Sequence, residues 1–239
     1  MRLDRLVGKW AGTGKRRTRE IFEAGKVSLN GVVVEEGAPA VGTFDRVEVG
    51  GEVVQARVRR YLMLHKPAGV VSATVDDEHE TVIDLIKEDW AQELHLAGRL
   101  DRFTTGLVIL TNDSTYSEWL TLPGSRVGKE YLVEVDGPIG REVVTAFEAG
   151  IDFEKEKITT APAKVELLGS SRCRLTIFEG KHHQVKRMFA RFGLKVMSLH
   201  REAMGELRLP DDLREGEWRQ FDPKWNRPLH RNADNRISP

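Results

Sequence analysis

The chain has 239 residues, 40% of them hydrophobic and 31% charged, which is an ordinary globular composition slightly rich in charge. Lys and Arg number 37, as do Asp and Glu, so the net charge is zero, which by itself disfavours a nucleic-acid partner. A single cysteine, Cys173, excludes an internal disulfide and a multi-cysteine metal site, and fits the reducing cytoplasm. No stretch approaches the roughly 20 apolar residues of a membrane span, and no signal peptide is recognisable, so we expect no membrane partner.

The charge is unevenly distributed along the chain. Residues 1–26 carry eight basic and three acidic side chains, a net charge of +5. Residues 172–201 carry eight basic side chains and one acidic one, a net charge of +7, so the rest of the chain sums to −12. One such run is often only a solvated helix face. Two one-sided segments in a neutral chain instead suggest a polyanion held at two places.

The length suggests one or two domains, and residues 1–58 predict a small α+β module. A short helix is expected from Arg16 to Ala24, ended by Gly25. Asn30-Gly31 between two β-branched runs predicts a hairpin, because both residues tolerate the positive φ of a tight turn. A further strand is expected from Arg46 to Val49.

Residues 59–222 predict a larger domain in which strands outnumber helices. Strands are expected at 61–66, before a Lys-Pro-Ala-Gly turn, and at 107–110, 129–135 and 174–177; helices are expected at 81–87 and 183–192. The absence of a regular βαβ alternation predicts an α+β fold with a largely antiparallel or mixed sheet and flanking helices. Residues 223–239 have few apolar groups, and we expect a disordered tail there.

The most reactive-looking carboxylate of the sequence is Asp101. It lies between Gly98 and Gly106 and is flanked by Arg99 and Arg102. It is either a structural partner of these arginines or a reactive group that their charges keep ionised. The residues alone favour the structural role.

The N-terminal pattern resembles the RNA-binding domain first seen in the fourth small-subunit ribosomal protein. The matching segments are 2–4, the basic helix 15–24, Gly25 to Gly31 and Asp45 to Val49. In that family the basic helix face lies on RNA phosphates. The resemblance therefore implies RNA binding by six residues: Arg2, Arg5, Lys15, Arg16, Arg17 and Arg19. The alternative is a small α+β domain without a ligand.

Four further motifs resemble the RsuA type of pseudouridine synthase, in the expected order over residues 61–222. They are Lys-Pro-Ala-Gly at 66–69, Gly-Arg-Leu-Asp-Arg-Phe-Thr-Thr-Gly-Leu at 98–107, Lys-Glu-Tyr-Leu-Val at 129–133, and Glu-Gly-Lys-His-His-Gln-Val-Lys-Arg-Met-Phe at 179–189. Large-subunit relatives usually have Asn-Arg in place of the two histidines. The resemblance implies isomerisation of a uridine in 16S rRNA, at position 516, to pseudouridine. The base must leave the RNA stack to be reached.

The resemblance also implies roles for individual residues. Asp101 starts cleavage of the glycosidic bond. Lys186 pairs with it; the alternatives are a phosphate contact for Lys186, or Arg187 as the pairing residue. Tyr131 stacks on the uracil and handles the proton on carbon 5, or is a core aromatic. Leu199 packs on the base, or is core. The implied substrate-binding residues are Arg99, Arg102, Thr104, Arg187 and Leu199.

The sequence predicts no cofactor and no metal. His182 and His183 are adjacent and point in different directions, with no cluster of acidic or cysteine ligands around them. The isomerisation is redox-neutral, so no cofactor is expected. The expected partner is RNA, as 16S rRNA or a small-subunit assembly particle, bound by a monomer. Two alternatives are a 23S rRNA synthase of the RluB, RluE or RluF type and a non-catalytic RNA-binding ribosome-assembly factor.

Overall fold

The computed structural model describes residues 1–36, 39–153 and 157–223. The predicted tail therefore lies, apart from its first residue, outside the described residues. The chain divides into two compact units, Met1–Arg59 and Arg60–Pro239. Within the described residues, no helix is both long and apolar enough to cross a membrane.

The first unit packs two helices on a small antiparallel sheet. The helices are α1 (Leu3–Ala11) and α2 (Lys15–Glu23), and the strands are β1 (Val27–Leu29), β2 (Val32–Val33), β3 (Val47–Val49) and β4 (Glu52–Gln55), in the order β2-β1-β3-β4. Asn30 and Gly31 have φ values of 51° and 82°, so the predicted hairpin turn is confirmed. The predicted basic helix is confirmed as α2. Leu3 and Val7 of α1, one turn apart, are buried in the core of this unit.

The second unit is built on a nine-stranded mixed sheet, so the predicted fold class is confirmed. The main strand order is β11-β12-β8-β13-β7-β5-β15, with β6 on β7 and β14 on β13. Among the pairings of these strands, β13 with β7 is parallel and the others are antiparallel. The strands are β5 (Tyr61–Lys66), β6 (His95–Ala97), β7 (Thr105–Thr111), β8 (Lys129–Val135), β11 (Lys164–Leu167), β12 (Arg172–Ile177), β13 (Val196–Met204), β14 (Leu207–Arg208) and β15 (Trp218–Gln220); a separate hairpin is formed by β9 (Asp152–Phe153) and β10 (Ile158–Thr159).

Among the residues of this unit that the structure describes, three helices and two short 3-10 turns accompany the sheet. The helices are α3 (Ser114–Thr121), α4 (Arg141–Ala149) and α5 (Gln184–Ala190), and the 3-10 turns are Ala91–Glu93 and Pro123–Ser125. Side chains alternate between the two faces of a strand, and here both faces of the sheet carry buried apolar side chains. Leu64 and Val108 lie in the larger core, with Phe147 of α4 and Phe189 of α5. The opposite face packs against Tyr116 and Leu120 of α3, among others.

The predicted helix at 81–87 is wrong. The segment is a series of turns in which the Asp84 carboxylate accepts from both the backbone N–H and the hydroxyl of Thr81, each at 2.8 Å. Val82, Ile83 and Ile86 are buried, and their spacing along the chain also suits one face of a helix. Local bonds between side chain and backbone compete with a helix in so short a segment.

Candidate active site

Asp101 lies in the loop that joins β6 to β7, facing the beginning of α5. Its Oδ2 accepts a hydrogen bond from Nζ of Lys186 at 2.7 Å, and the two side chains are 27% and 38% exposed. Val185, Met188 and Phe189 of α5 are buried in the core. The neighbouring Lys186 therefore projects from the helix towards the loop. An ammonium at this distance fixes the direction of the carboxylate.

His183 reaches the other oxygen of the same carboxylate. Its Nε2 lies 3.4 Å from Oδ1 of Asp101. Its ring stacks on His182 with 3.8 Å between centroids, so the prediction that the two histidines point in different directions is wrong. The residue adopts the left-handed conformation, with φ 48° and ψ 30°, immediately before α5. Glu179 and Gln184 brace this segment: Gln184 donates to the Glu179 carboxylate at 2.7 Å, and the Lys181 N–H donates to Gln184 at 2.9 Å.

Lys66 binds backbone carbonyls of the loop that carries Asp101. It ends β5, is completely buried, and its Nζ donates to the carbonyls of Pro67 at 2.9 Å, Arg102 at 2.9 Å and Thr104 at 3.0 Å. Burial lowers the pKa of Lys66 to about 8, and the negative charge of Asp101 partly opposes this. The backbone on both sides of Asp101 is thus attached to one buried ammonium.

Two more buried side chains fix the same loop. Arg201 of β13 is 1% exposed and donates through Nε to the Leu107 carbonyl at 2.7 Å and through Nη1 to the Arg99 carbonyl at 3.5 Å. Ser72 donates to the carbonyl of Leu100 at 2.8 Å and accepts from its N–H at 3.1 Å. The loop that carries Asp101 is therefore pre-organised by the protein interior.

Gly106 allows the loop to enter the sheet at this point. It has φ +105°, and a Cβ placed on it would lie 2.3 Å from the carbonyl oxygen of Arg201. Only glycine permits this close approach of β7 to β13. The approach brings the Asp101 loop next to the strand that carries Leu199.

Tyr131 and Leu199 belong to one apolar cluster on the sheet face that bears this site. They are 6% and 8% exposed, and they share the cluster with Leu100 of the loop and Val185 of α5. Among the described residues, no hydrogen bond is made to the Tyr131 hydroxyl. The cluster can therefore offer an apolar wall and a phenol to a flat base.

The other predicted substrate-binding residues have more mixed surroundings. Arg187 lies over the Phe153 ring at 4.5 Å, so Lys186 is the residue that pairs with Asp101. Arg102 donates to the Gly69 carbonyl at 3.0 Å and contacts His79 at 2.7 Å. Thr104 is 1% exposed and packs within the loop, whereas the side chain of Arg99 is exposed.

The predicted RNA-binding residues of the first unit lie on its helices or beside them. A groove of about 870 Å³ is lined by Arg2, Arg5, Lys15 and Arg19, together with acidic residues such as Glu35. Three of the six predicted cations already pair with a carboxylate: Arg2 with Asp4, Arg16 with Glu20 and Arg19 with Glu23. Exposed pairs of this kind are weak, so RNA phosphates can replace them.

The sequence reasoning missed three residues of the site. Lys66 begins the motif at 66–69 and Arg201 ends the basic run 172–201, but their bonds to carbonyls of the loop have no sequence signal. The sequence places His183 in the motif at 179–189 and excludes it as a metal ligand, but gives no sign of its contact with Asp101. Within the residues that the structure describes, no group of three or more His, Cys, Asp or Glu side chains could hold a metal ion.

The mixed sheet presents a lysine-paired aspartate on a pre-organised loop, beside an apolar cluster with a tyrosine. This is the arrangement that the motif resemblance leads us to expect of an RNA-modifying enzyme. Residues 60–191 match the family described as RNA pseudouridylate synthase. The chain belongs to this family, whose members convert uridine in RNA to pseudouridine.

Individual relatives are similar over almost the whole chain. Ribosomal small subunit pseudouridine synthase A of Pseudomonas aeruginosa is 47% identical, over 92% of this chain and 96% of the relative. The protein of the same name from Escherichia coli is 38% identical, over 92% and 95%. A crystal structure of a pseudouridylate synthase superposes with a TM-score of 0.67 at 36% identity, covering 93% of this chain and 96% of the other.

Proposed function

We propose that this protein converts one uridine of small-subunit ribosomal RNA, position 516 of 16S rRNA by resemblance, to pseudouridine. One observation carries the proposal. The relatives that are 37% to 47% identical over 92% of the chain are named as small-subunit synthases. The two histidines before α5 agree with this choice, because large-subunit relatives usually have Asn-Arg there.

The geometry around Asp101 supports its role as the residue that starts the reaction. Lys186 donates to Oδ2 at 2.7 Å and fixes the direction of the carboxylate, while His183 lies 3.4 Å from Oδ1. The flipped uracil lies against Tyr131 and Leu199, which supply an aromatic face and an apolar wall. Asp101 then initiates cleavage of the bond between uracil nitrogen and ribose, and the base is rejoined through carbon 5.

The first unit contributes affinity for RNA in this proposal. Arg2, Arg5, Lys15, Arg16, Arg17 and Arg19 neutralise phosphates and hold the RNA, without reading the modified base. We further propose that the protein acts as a monomer in the cytoplasm, on 16S rRNA or a small-subunit assembly particle.

The decisive test maps pseudouridine in the ribosomal RNA of cells that lack the protein. We expect loss at one 16S rRNA uridine only, restored by the wild-type chain and not by Asp101→Asn. Asp212→Asn is a matched control, because Asp212 is an exposed aspartate that pairs with Arg219 at 2.9 Å. It should restore the modification fully.

Other outcomes of this mapping select the alternatives. Loss confined to 23S rRNA would make the protein a large-subunit synthase. Unchanged modification everywhere would leave a non-catalytic RNA-binding protein.

The role of the first unit has its own test. Replacing Lys15, Arg16 and Arg17 together by Ala should weaken RNA binding and reduce the slope of log K against log salt by about 2 to 3. The rate at saturating RNA should change little. An unaltered affinity and salt slope would show that these cations do not contact RNA.

A further inference from the structure

We propose that Phe103 stacks on an RNA base next to the target uridine and so helps to bind the stretch of RNA that enters the site. This inference rests on the proposed function of Asp101. Phe103 lies in the motif at 98–107, but the motif resemblance assigns it no role. It is an RNA-binding residue and takes no part in the bond changes.

The exposure of Phe103 sets it apart from the other phenylalanines of the chain. All nine belong to the described residues, and eight of them are buried or half-buried, whereas Phe103 is 71% exposed. An exposed Phe forgoes the favourable free energy of burying its ring. Single apolar side chains are common on protein surfaces, so the position and the rigidity of this one decide whether it binds a ligand.

The position of Phe103 is close to the chemistry. It lies two residues after Asp101 in the same loop, and two residues of chain span at most about 7 Å. Successive bases of one nucleic-acid strand are on the order of 3 Å apart along the helix axis. When the target uridine reaches Asp101, the ring of Phe103 is therefore within reach of bases about one or two nucleotides away.

The backbone on both sides of Phe103 is held in place. The carbonyl of Arg102 accepts from Nζ of Lys66 and from the N–H of Gly69, each at 2.9 Å. The carbonyl of Thr104 accepts from the same Nζ at 3.0 Å, and Thr104 itself is buried. Phe103 is thus an exposed residue between two fixed carbonyls. Its side chain has only two torsions, so a base can stack on the ring with little loss of conformational entropy.

Two arginines share the loop with this ring. The guanidinium of Arg102 lies over the Phe103 ring, 5.3 Å from its centroid, and its Nε donates to the Gly69 carbonyl at 3.0 Å. Arg99 is exposed in the same loop. Proteins that bind single-stranded nucleic acid combine cations for the phosphates with aromatic rings on which bases stack. The loop therefore suits an unpaired stretch of RNA around the target uridine.

The test measures binding of the full-length protein to a synthetic fragment of 16S rRNA that contains the target uridine. Phe103→Ala should raise the Kd by about 5- to 150-fold, the range expected for loss of one stacking ring. Phe103→Tyr keeps the ring and should bind as tightly as the wild type. Phe103→Leu is apolar but cannot stack, so it should bind nearly as weakly as Phe103→Ala.

Leu167→Ala is the matched control for removal of an exposed apolar side chain. Leu167 is 48% exposed and belongs to β11, which lies four strands from β7 in the sheet. Its removal should leave the Kd unchanged. Because Phe103 and Leu167 are both exposed, each variant should keep the melting temperature of the wild type, which shows that it is folded.

A second measurement identifies the base. The fragment is prepared with an abasic nucleotide at each position neighbouring the target uridine in turn. At one position, the missing base should weaken binding of the wild-type protein about as much as Phe103→Ala does, and should not weaken binding of Phe103→Ala further. Non-additivity of this kind marks a direct contact between the two groups removed.

The stacking role is wrong if Phe103→Ala or Phe103→Leu binds the RNA with wild-type affinity. It is also wrong if the two losses are additive at every abasic position. Asp101→Asn distinguishes these failures from failure of the proposed function. If Asp101→Asn forms no pseudouridine while Phe103→Ala binds normally, the stacking role alone is overturned. If Asp101→Asn is fully active, the proposed function is overturned instead.

Discussion

Replacing Lys66 by Met tests whether the buried ammonium organises the catalytic loop. The side chain keeps its approximate volume, but the carbonyls of Pro67, Arg102 and Thr104 lose their donor. Hydrogen bonds from a charged group contribute about 1.5 to 3 kcal/mol each, and relief of the buried charge offsets part of the loss. We expect a net destabilisation of about 3 kcal/mol.

That magnitude predicts two measurable effects. The melting temperature of the second unit should fall by roughly 6 to 12 °C. Because the loop that carries Asp101 is then less firmly held, kcat should fall by about 100-fold at a temperature where the variant is folded. Calorimetry and single-turnover assays measure these two quantities. Lys87→Met is the matched control, because Lys87 is exposed and donates to a single carbonyl, that of Asp84. A folded Lys66→Met with wild-type kcat would refute the reasoning.

Three further predictions concern Gly106, Cys173 and the protonation of Lys66. Gly106→Ala should destabilise the second unit strongly or prevent folding, whereas Gly180→Ala, with nothing within 4 Å of its added Cβ, should not; equal melting temperatures would contradict this. Burial raises the pKa of Cys173 to about 11, so a thiol reagent near pH 8 should label it only after denaturation, and rapid labelling of the native protein would show the strand to be accessible. Burial lowers the pKa of Lys66 from 10.5 to about 8, so between these pH values the unfolded chain binds more protons than the folded chain. The free energy of unfolding, relative to that of Lys66→Met, should therefore rise with pH across this window. Over the same window kcat should fall, because the ammonium is lost. A stability difference independent of pH there would contradict the assignment.

The sequence predicts the elements whose signals are local. The Asn30-Gly31 turn, α2 and the alternating strand β8 need only the chemistry of neighbouring residues, and each is confirmed. The helix expected at 81–87 fails because one carboxylate, Asp84, bonds to the Thr81 backbone and competes with helical pairing.

The site itself is less predictable, because its contacts join distant parts of the chain. Asp101 and Lys186 are 85 residues apart, and Lys66 reaches carbonyls 36 and 38 residues away. The motif resemblance implies that Asp101, Tyr131 and Lys186 take part in the reaction. The choice of Lys186 over Arg187, and the contact of His183 with the carboxylate, depend on where α5 begins and which of its side chains are buried.

The net charge of zero also has a structural interpretation. The cations of the first unit line a groove beside α1 and α2, and the basic segment of the second unit supplies Lys186 to the site. Neutrality of the whole chain therefore coexists with cations concentrated in two segments, although in the second segment Arg201 is buried and Arg174 pairs with carboxylates.

The central claim is that Asp101 performs the chemistry on a uridine of small-subunit ribosomal RNA. The most direct measurement incubates the purified protein with 16S rRNA and sequences the pseudouridine formed. We predict one pseudouridine per RNA with the wild-type protein and none with Asp101→Asn, although the variant binds the RNA with wild-type affinity. Pseudouridine formation by Asp101→Asn at the wild-type rate would contradict the account.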